Sequence, residues 1–145
     1  MGLDMYLNAK RFLWHSEDEI ASKVGEVFPE LGDARVKEIT CELMYWRKAN
    51  AIHKWFVDNV QEGVDECQES WVTRENLVSL LAVVNEVLAD RSKAATLLPP
   101  QSGFFFGNTD IGEWYFQDLE YTRQGLEKIL AMDLEKWDLY YRSSW

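Results

Sequence analysis

The sequence is poor in residues that break or cross-link a chain: 3 Pro, 8 Gly and 2 Cys among 145 residues. Cys41 and Cys67 lack the close spacing of zinc ligands, so we expect two free thiols and no metal site. No stretch approaches the roughly 20 apolar residues of a membrane helix. The first residues also lack the basic and apolar regions of a signal peptide. We therefore expect a cytoplasmic protein that contacts no membrane.

Basic residues are scarce as well, with 15 Lys+Arg against 25 Asp+Glu and a net charge of -10. This balance argues against a generally basic protein that binds nucleic acid directly through its phosphates. The excess acid is uneven, because residues 1–55 carry 8 basic and 9 acidic groups while residues 56–145 carry 7 and 16. The densest basic stretch, residues 47–54, comes immediately before the densest acidic stretch, residues 58–69. The sequence therefore predicts a dipolar molecule.

Apolar residues make up 47% of the chain and aromatic residues 14%, which is enough for one globular domain with its own core. The apolar period alternates between two, typical of strands, and three to four, typical of helices. The predicted elements are a strand from Leu3, a helix capped by Ser16, a strand over Val36–Trp46, a helix from Lys48 to near Gly63, a short strand over Glu69–Val72, a helix capped by Thr73, a helix from Thr109 or Asp110, and a strand over Trp137–Arg142. This order predicts an α+β fold: a single small domain with an antiparallel or mixed sheet of about four strands and helices packed mainly on one face.

Catalytic templates are absent from the sequence. It contains no glycine-rich phosphate loop after a strand, no G-x-S-x-G elbow and no short-spaced His or Cys pair. We therefore predict no catalytic residue, cofactor or metal.

The strongest candidate for a site is residues 45–55, where a strand leads into a helix. The first turn of a helix offers unpaired N–H groups and a positive dipole end, and anions bind there. Arg47 and Lys48 add charge for a phosphate or carboxylate, and Trp46, placed on the wet face of the strand, would stack a base. The alternative is that nearby carboxylates pair with these cations and that His53 is a hydrogen-bonded boundary residue.

Two further segments are candidates. Residues 101–108 carry three consecutive Phe between Gly103 and Gly107, and they form either an aromatic lid or a plug between helices. The strand face with Asp4, Tyr6 and Asn8 is predicted to lie beside Met44 and Trp46, as either a ligand platform or a second core.

Five segments of the sequence look familiar, namely residues 1–7 (MGLDMYL), 45–57 (YWRKANAIHKWFV), 101–107 (QSGFFFG), 113–115 (EWY) and 143–145 (SSW). The resemblance is to a family of small, functionally uncharacterised proteins encoded by bacteriophages and prophages. It implies an accessory protein that counteracts host defences inside the bacterial cell, and it carries no catalytic residues to transfer.

Three functional hypotheses follow, with the oligomeric state left open. In the first, the protein binds a small anionic, nucleotide-like ligand through Tyr6, Trp46, Arg47, Lys48, Asn50, His53, Lys54, Ser102, Gly103, Phe104 and Phe105. In the second, it is an acidic inhibitor of a host nuclease or CRISPR-type complex and binds its partner through Asp58, Glu62, Asp65, Glu66 and Glu69. In the third, it is a small enzyme that degrades a nucleotide signal through His53.

Overall fold

In a computed structural model, which describes residues 2–145, four strands form one antiparallel sheet. The strands are β1 (Asp4–Phe12), β2 (Glu38–Arg47), β3 (Ser70–Val72) and β4 (Asp138–Ser144). Their spatial order is β2-β1-β4-β3, and each neighbouring pair is antiparallel. The predicted α+β class, with about four strands in one small domain, is confirmed.

Five helices connect these strands. They are α1 (Asp18–Gly25), α2 (Asn50–Asn59), α3 (Arg74–Ala89), α4 (Ala94–Leu97) and α5 (Glu113–Leu130). Short 3-10 turns lie at His15–Glu17, Pro29–Leu31 and Arg91–Lys93. Within residues 2–145, no helix is long and apolar enough to cross a membrane.

The core lies between the helices and one face of the sheet. On β1 and the residue before it, alternate side chains are buried, namely Leu3, Met5, Leu7 and Ala9. This alternation follows from the two-residue period of a strand. Gly125 lets α5 approach β2, because a Cβ at that position would overlap the Met44 side chain. The opposite face of the sheet remains partly open to solvent.

The predicted partners of β1 on β2 are wrong. Tyr6 lies opposite Tyr45, and Met5 lies opposite Trp46. Trp46 is therefore on the core face, where it is 2% exposed and its Nε1 donates to Thr122 Oγ1 at 2.9 Å. The cause is a bulge at Leu43, since Leu7 pairs with Met44 whereas Asn8 pairs with Glu42. An extra residue in one strand shifts the alternation of everything beyond it.

Helix starts also differ from the prediction in three places. Ser16 lies inside a 3-10 turn and does not cap α1. Helix α2 begins at Asn50, because Lys48 has a φ of 60° and left-handed backbone cannot continue a right-handed helix. Helix α5 begins at Glu113, three or four residues later than predicted. The predicted cap of α3 is confirmed, because Thr73 Oγ1 accepts from the Asn76 N–H at 3.1 Å.

Candidate functional site

A cavity of about 340 Å³ lies at the start of α2. One wall is the end of β2 and the first turn of α2, and the other is the loop before α5 and the first turns of α5. The polar and aromatic residues that line it are Arg47, Lys48, Asn50, Asn108, Asp110, Trp114, Tyr115 and Asp118. Segments more than 50 residues apart in sequence therefore meet around one concave space.

Lys48 lines this cavity, and its backbone hydrogen bond and two neighbouring glycines restrict its position. Its N–H donates to the Leu3 carbonyl at 2.8 Å, which anchors the left-handed turn to the start of the chain. A Cβ at Gly107 would lie 3.0 Å from Lys48 Cδ, and a Cβ at Gly2 would lie 2.9 Å from Lys48 Cε. Among residues 2–145, the Lys48 ammonium group has neither an ion-pair nor a hydrogen-bond partner. The methylene groups of Lys48 are therefore held in position, whereas its ammonium group is unpaired.

The first turn of α2 adds two unpaired backbone donors. Its N-cap residue is Ala49, which has no side-chain oxygen to cap the helix. The Asn50 N–H donates to the Lys48 carbonyl and the His53 N–H donates to the Ala49 carbonyl. The N–H groups of Ala51 and Ile52 have no acceptor in the part of the chain that the structure describes. Such groups carry the positive end of the helix dipole and favour an anion.

Arg47 is partly engaged on the open face of the sheet. Its Nη1 donates to Asp4 Oδ1 at 2.8 Å, and the same carboxylate accepts from the Tyr45 hydroxyl. These bonds, first that from Tyr45 and then that from Arg47, hold the pKa of Asp4 below its ordinary value. Arg47 therefore contributes positive potential to the cavity, while Lys48 is the cation that remains available.

The opposite wall belongs to α5. Trp114 is 79% exposed and Asp118 is half-buried one turn further along, so both side chains lie on one face of the helix. Burial raises the pKa of the Asp118 carboxyl to about 6. Its carboxylate has no hydrogen-bond or ion-pair partner within residues 2–145. The Tyr115 hydroxyl donates to the Leu98 carbonyl at 2.8 Å and fixes the start of α5 against the chain after α4.

Asn50 joins the helix to the loop of residues 101–108. Its Nδ2 donates to the carbonyls of Phe106 and Asn108, each at 2.9 Å, and its Oδ1 accepts from the Gln101 N–H at 3.0 Å. Asn50 is buried, and both polar atoms of its amide are used. It therefore positions the loop at the edge of the cavity.

The three consecutive Phe residues of that loop have three different surroundings. Phe104 is 96% exposed, Phe105 stacks at 6.5 Å on Trp145, and Phe106 is buried edge-on against His53 at 5.1 Å between ring centres. Gly103 lies against the Phe106 ring. The loop is thus a plug at Phe106 and an exposed tip at Phe104, and its rings do not line the cavity.

His53 is fully buried and hydrogen-bonded at both nitrogens. Nδ1 lies 2.7 Å from the Tyr141 hydroxyl, and Nε2 lies 2.9 Å from Asp65 Oδ2. The other Asp65 oxygen accepts from Trp145 Nε1 at 3.1 Å. This series of hydrogen bonds links α2 to β4 and to the acidic stretch, and it leaves neither ring nitrogen of His53 free to bind a ligand.

Three of the five carboxylates in the acidic stretch of residues 58–69 are paired with side chains from other parts of the fold. Asp58 accepts from Lys54 Nζ at 2.7 Å and Glu69 accepts from Lys10 Nζ at 2.6 Å, while Asp65 holds His53. Glu62 and Glu66 are exposed and have no ion-pair partner among the described residues. Lys54, a predicted ligand residue, therefore belongs to this paired region.

The structure thus brings together only part of the predicted ligand set. Arg47, Lys48 and Asn50 line the cavity. The other predicted residues lie outside its lining, namely Tyr6, Trp46, His53, Lys54, Ser102, Gly103, Phe104 and Phe105. Sequence reasoning missed Trp114 and Asp118. Their four-residue spacing near the start of a helix can be seen in the sequence. That they lie across a cavity from the start of α2 follows only from the tertiary structure.

Comparisons with protein-family models, curated proteins and solved structures return no match to this chain. The resemblance to phage-encoded proteins therefore stays a prediction.

Proposed function

We propose that the protein binds a small anionic, nucleotide-like ligand in the cavity at the start of α2. One observation carries the proposal: Lys48, whose ammonium group is unpaired, and Ala51 and Ile52, whose N–H groups are unpaired, all line the same 340 Å³ cavity. Phosphate oxygens match this set, because they accept charge-assisted hydrogen bonds from lysine and from helix N-terminal amides.

The size and chemistry of the cavity favour a mononucleotide over a polymer. Its volume falls at the lower end of the roughly 300–1,000 Å³ typical of small-molecule sites. The exposed indole of Trp114 offers a stacking surface, and stacking on an aromatic side chain contributes about 1–3 kcal/mol per base. Asp110 and Asp118 in the lining disfavour a ligand that is negative along its whole length. The preferred ligand has one anionic end.

The proposal is binding without chemical conversion. The sequence-based enzyme hypothesis needs His53 at the ligand, whereas the hydrogen bonds of this buried side chain go to Tyr141 and Asp65. For the inhibitor hypothesis, only Glu62 and Glu66 of the five acidic candidates are free of the pairings described above. Within a phage-type accessory protein, the proposed activity would remove a nucleotide signal of a host defence by sequestering it.

Thermal shift against a nucleotide panel tests the proposal. The panel holds the four ribonucleoside 5′-monophosphates and representative cyclic nucleotides, with the four nucleosides and inorganic phosphate as controls. A ligand present at 100 times its Kd stabilises the folded state by about 2.7 kcal/mol. For a chain of this size we expect a rise in Tm of roughly 5–10 °C. Nucleosides should give a smaller shift than their monophosphates.

Two lysines, one just before α2 and one within it, supply a matched pair of variants. Lys48→Met should weaken nucleotide binding by about 10- to 100-fold, as expected for loss of a hydrogen bond to a charged group. Lys54→Met removes the same charge from a residue paired with Asp58 and should leave the Kd unchanged. The proposal fails if no panel member raises Tm, or if both variants bind the nucleotide alike.

A further inference from the structure

The α5 wall of the cavity differs in chemistry from the α2 wall. The α2 wall offers a cation and N–H donors, whereas the α5 wall offers an indole surface and the carboxylate of Asp118. A ligand that contacts both walls must accept hydrogen bonds at the end that faces α2 and donate them at the end that faces α5. This requirement narrows the ligand class and rests on the proposed function.

We infer that Asp118 recognises the base of the bound nucleotide, and that the preferred base presents two neighbouring N–H donors, as guanine does. Trp114 and Asp118 lie one helical turn apart on the same face of α5. A base stacked on the exposed Trp114 indole turns its edge, rather than its face, toward the neighbouring carboxylate.

The state of Asp118 supports a donor-bearing partner. An ionised carboxylate only accepts hydrogen bonds. Burying it without a donor is unfavourable, which agrees with the raised pKa of about 6. Within residues 2–145, neither Lys48 nor Arg47 pairs with it. Two parallel N–H donors from a ligand would satisfy both of its oxygens at once.

The common bases differ in what they offer a carboxylate. Guanine presents N1–H and N2–H side by side, which matches the two oxygens in the way that an arginine fork does. Adenine and cytosine each present one amino group beside a ring nitrogen that only accepts, and uracil presents one N–H between two carbonyls. Hypoxanthine keeps N1–H but lacks the 2-amino group. The pair GMP and IMP therefore isolates the second donor.

Isothermal titration of GMP, IMP and AMP into the wild-type protein and into Asp118→Asn tests the inference. We expect the wild-type protein to bind GMP at least about 10-fold more tightly than IMP or AMP, a ratio that corresponds to one lost hydrogen bond to a charged group. Asp118→Asn should weaken GMP binding by about 10- to 100-fold. The ratio of the affinity for GMP to the affinity for IMP, called the GMP-to-IMP ratio, should then fall to near one.

Glu113→Gln is the matched control. It removes one negative charge from the start of α5, but Glu113 lies outside the lining of the cavity and its carboxylate accepts from Gln117 Nε2 at 3.3 Å. This variant should keep the wild-type GMP-to-IMP ratio. The ratio in the wild-type protein remains decisive even if Asp118→Asn does not fold.

The outcomes separate the two claims. Equal binding of GMP, IMP and AMP, or tighter binding of AMP, overturns the inference about Asp118 and leaves the proposed nucleotide site standing. A GMP-to-IMP ratio that Asp118→Asn leaves unchanged has the same consequence. If no nucleotide binds to the wild-type protein, the proposed function fails and this inference fails with it.

Discussion

The start of α2 and the acidic stretch of residues 58–69 are both rich in charge, yet they use it differently. In the acidic stretch, Asp58, Asp65 and Glu69 each hold a partner within the fold. At the start of α2, the Lys48 ammonium group and the N–H groups of Ala51 and Ile52 have no partner among residues 2–145, and these three residues line a cavity. Charge that is already paired stabilises a fold, whereas unpaired charge beside a cavity is available to a ligand. The density of charge in the sequence does not distinguish these two cases.

The largest expected effect concerns the buried hydrogen bonds that hold the acidic stretch in place. His53→Ala removes a buried ring and leaves the Tyr141 hydroxyl and the Asp65 carboxylate without their common partner. We expect a loss of about 3–4 kcal/mol in the free energy of unfolding, measured by urea denaturation.

If His53→Ala does not fold, Tyr141→Phe removes only the hydroxyl and should cost about 1–2 kcal/mol. Lys54→Ala, at the next position of α2, serves as the surface control and should change stability by less than about 0.5 kcal/mol. A cost below about 1 kcal/mol for His53→Ala would contradict a structural role for this residue.

Two glycines with the same φ allow a direct comparison of the start of α2 with the acidic stretch. Gly107 beside Lys48 and Gly63 in the acidic stretch both have a φ of 78°. Alanine at either position should cost about 1–2 kcal/mol of stability, because left-handed backbone is unfavourable for a residue with a Cβ.

Only Gly107→Ala should also weaken nucleotide binding. Its Cβ would lie 3.0 Å from Lys48 Cδ, whereas a Cβ at Gly63 meets no atom of residues 2–145 within 4 Å. Thermal denaturation and titration of both variants check this difference. Equal nucleotide affinities in the two variants would show that the position of the Lys48 stem does not matter for binding.

Asp118 gives a smaller, pH-dependent effect. Its pKa of about 6 in the folded protein exceeds the ordinary 3.8, so the folded state binds the proton more tightly than the unfolded state. The stabilisation from the protonated form is complete below pH 3.8 and is lost as the pH rises through 6. Asp118→Asn should therefore stabilise the ligand-free protein at pH 7.5 by about 1 kcal/mol, allowing for the partial exposure of the carboxyl.

The same substitution should have little effect at pH 4, where the folded protein holds Asp118 protonated. Tm measurements at the two pH values give the comparison. If Asp118→Asn raises Tm by the same amount at both pH values, the ionised Asp118 carboxylate does not destabilise the folded protein.

The smallest expected effect is that of Glu62→Lys and Glu66→Lys combined. Both side chains are exposed and unpaired in the described part of the chain, so stability should change by less than about 0.5 kcal/mol. Nucleotide affinity should also stay the same. If this double variant instead loses a host protein that co-purifies with the wild type, the inhibitor hypothesis regains support.

The fold was largely predictable because its elements carry clear periodicity. The alternation from Leu3 to Ala9 predicted β1, and the Thr73 cap marked the start of α3. The register of β2 was not predictable from alternation alone, since the bulge at Leu43 moves Trp46 to the core face. A bulge depends on the pairing of two strands, which one strand's sequence does not reveal.

The candidate site was predictable on one wall only. Arg47 and Lys48 can be recognised in the sequence as adjacent cations before a predicted helix. Trp114 and Asp118 reach the same cavity through the tertiary packing of α5, and no local pattern connects them with α2. Likewise, the burial of His53 depends on Tyr141, 88 residues away in the chain.

The most direct test of the central claim is an amide NMR titration of the 15N-labelled protein with GMP. We expect the amide signals of Ala51 and Ile52 to move downfield as their N–H groups donate to the phosphate, and we expect this change to be lost in Lys48→Met. The amide signals of Glu62 and Glu66 should stay in place. Saturable shifts confined to residues 62–66, or no shift at Ala51 and Ile52 with any nucleotide of the panel, would contradict it.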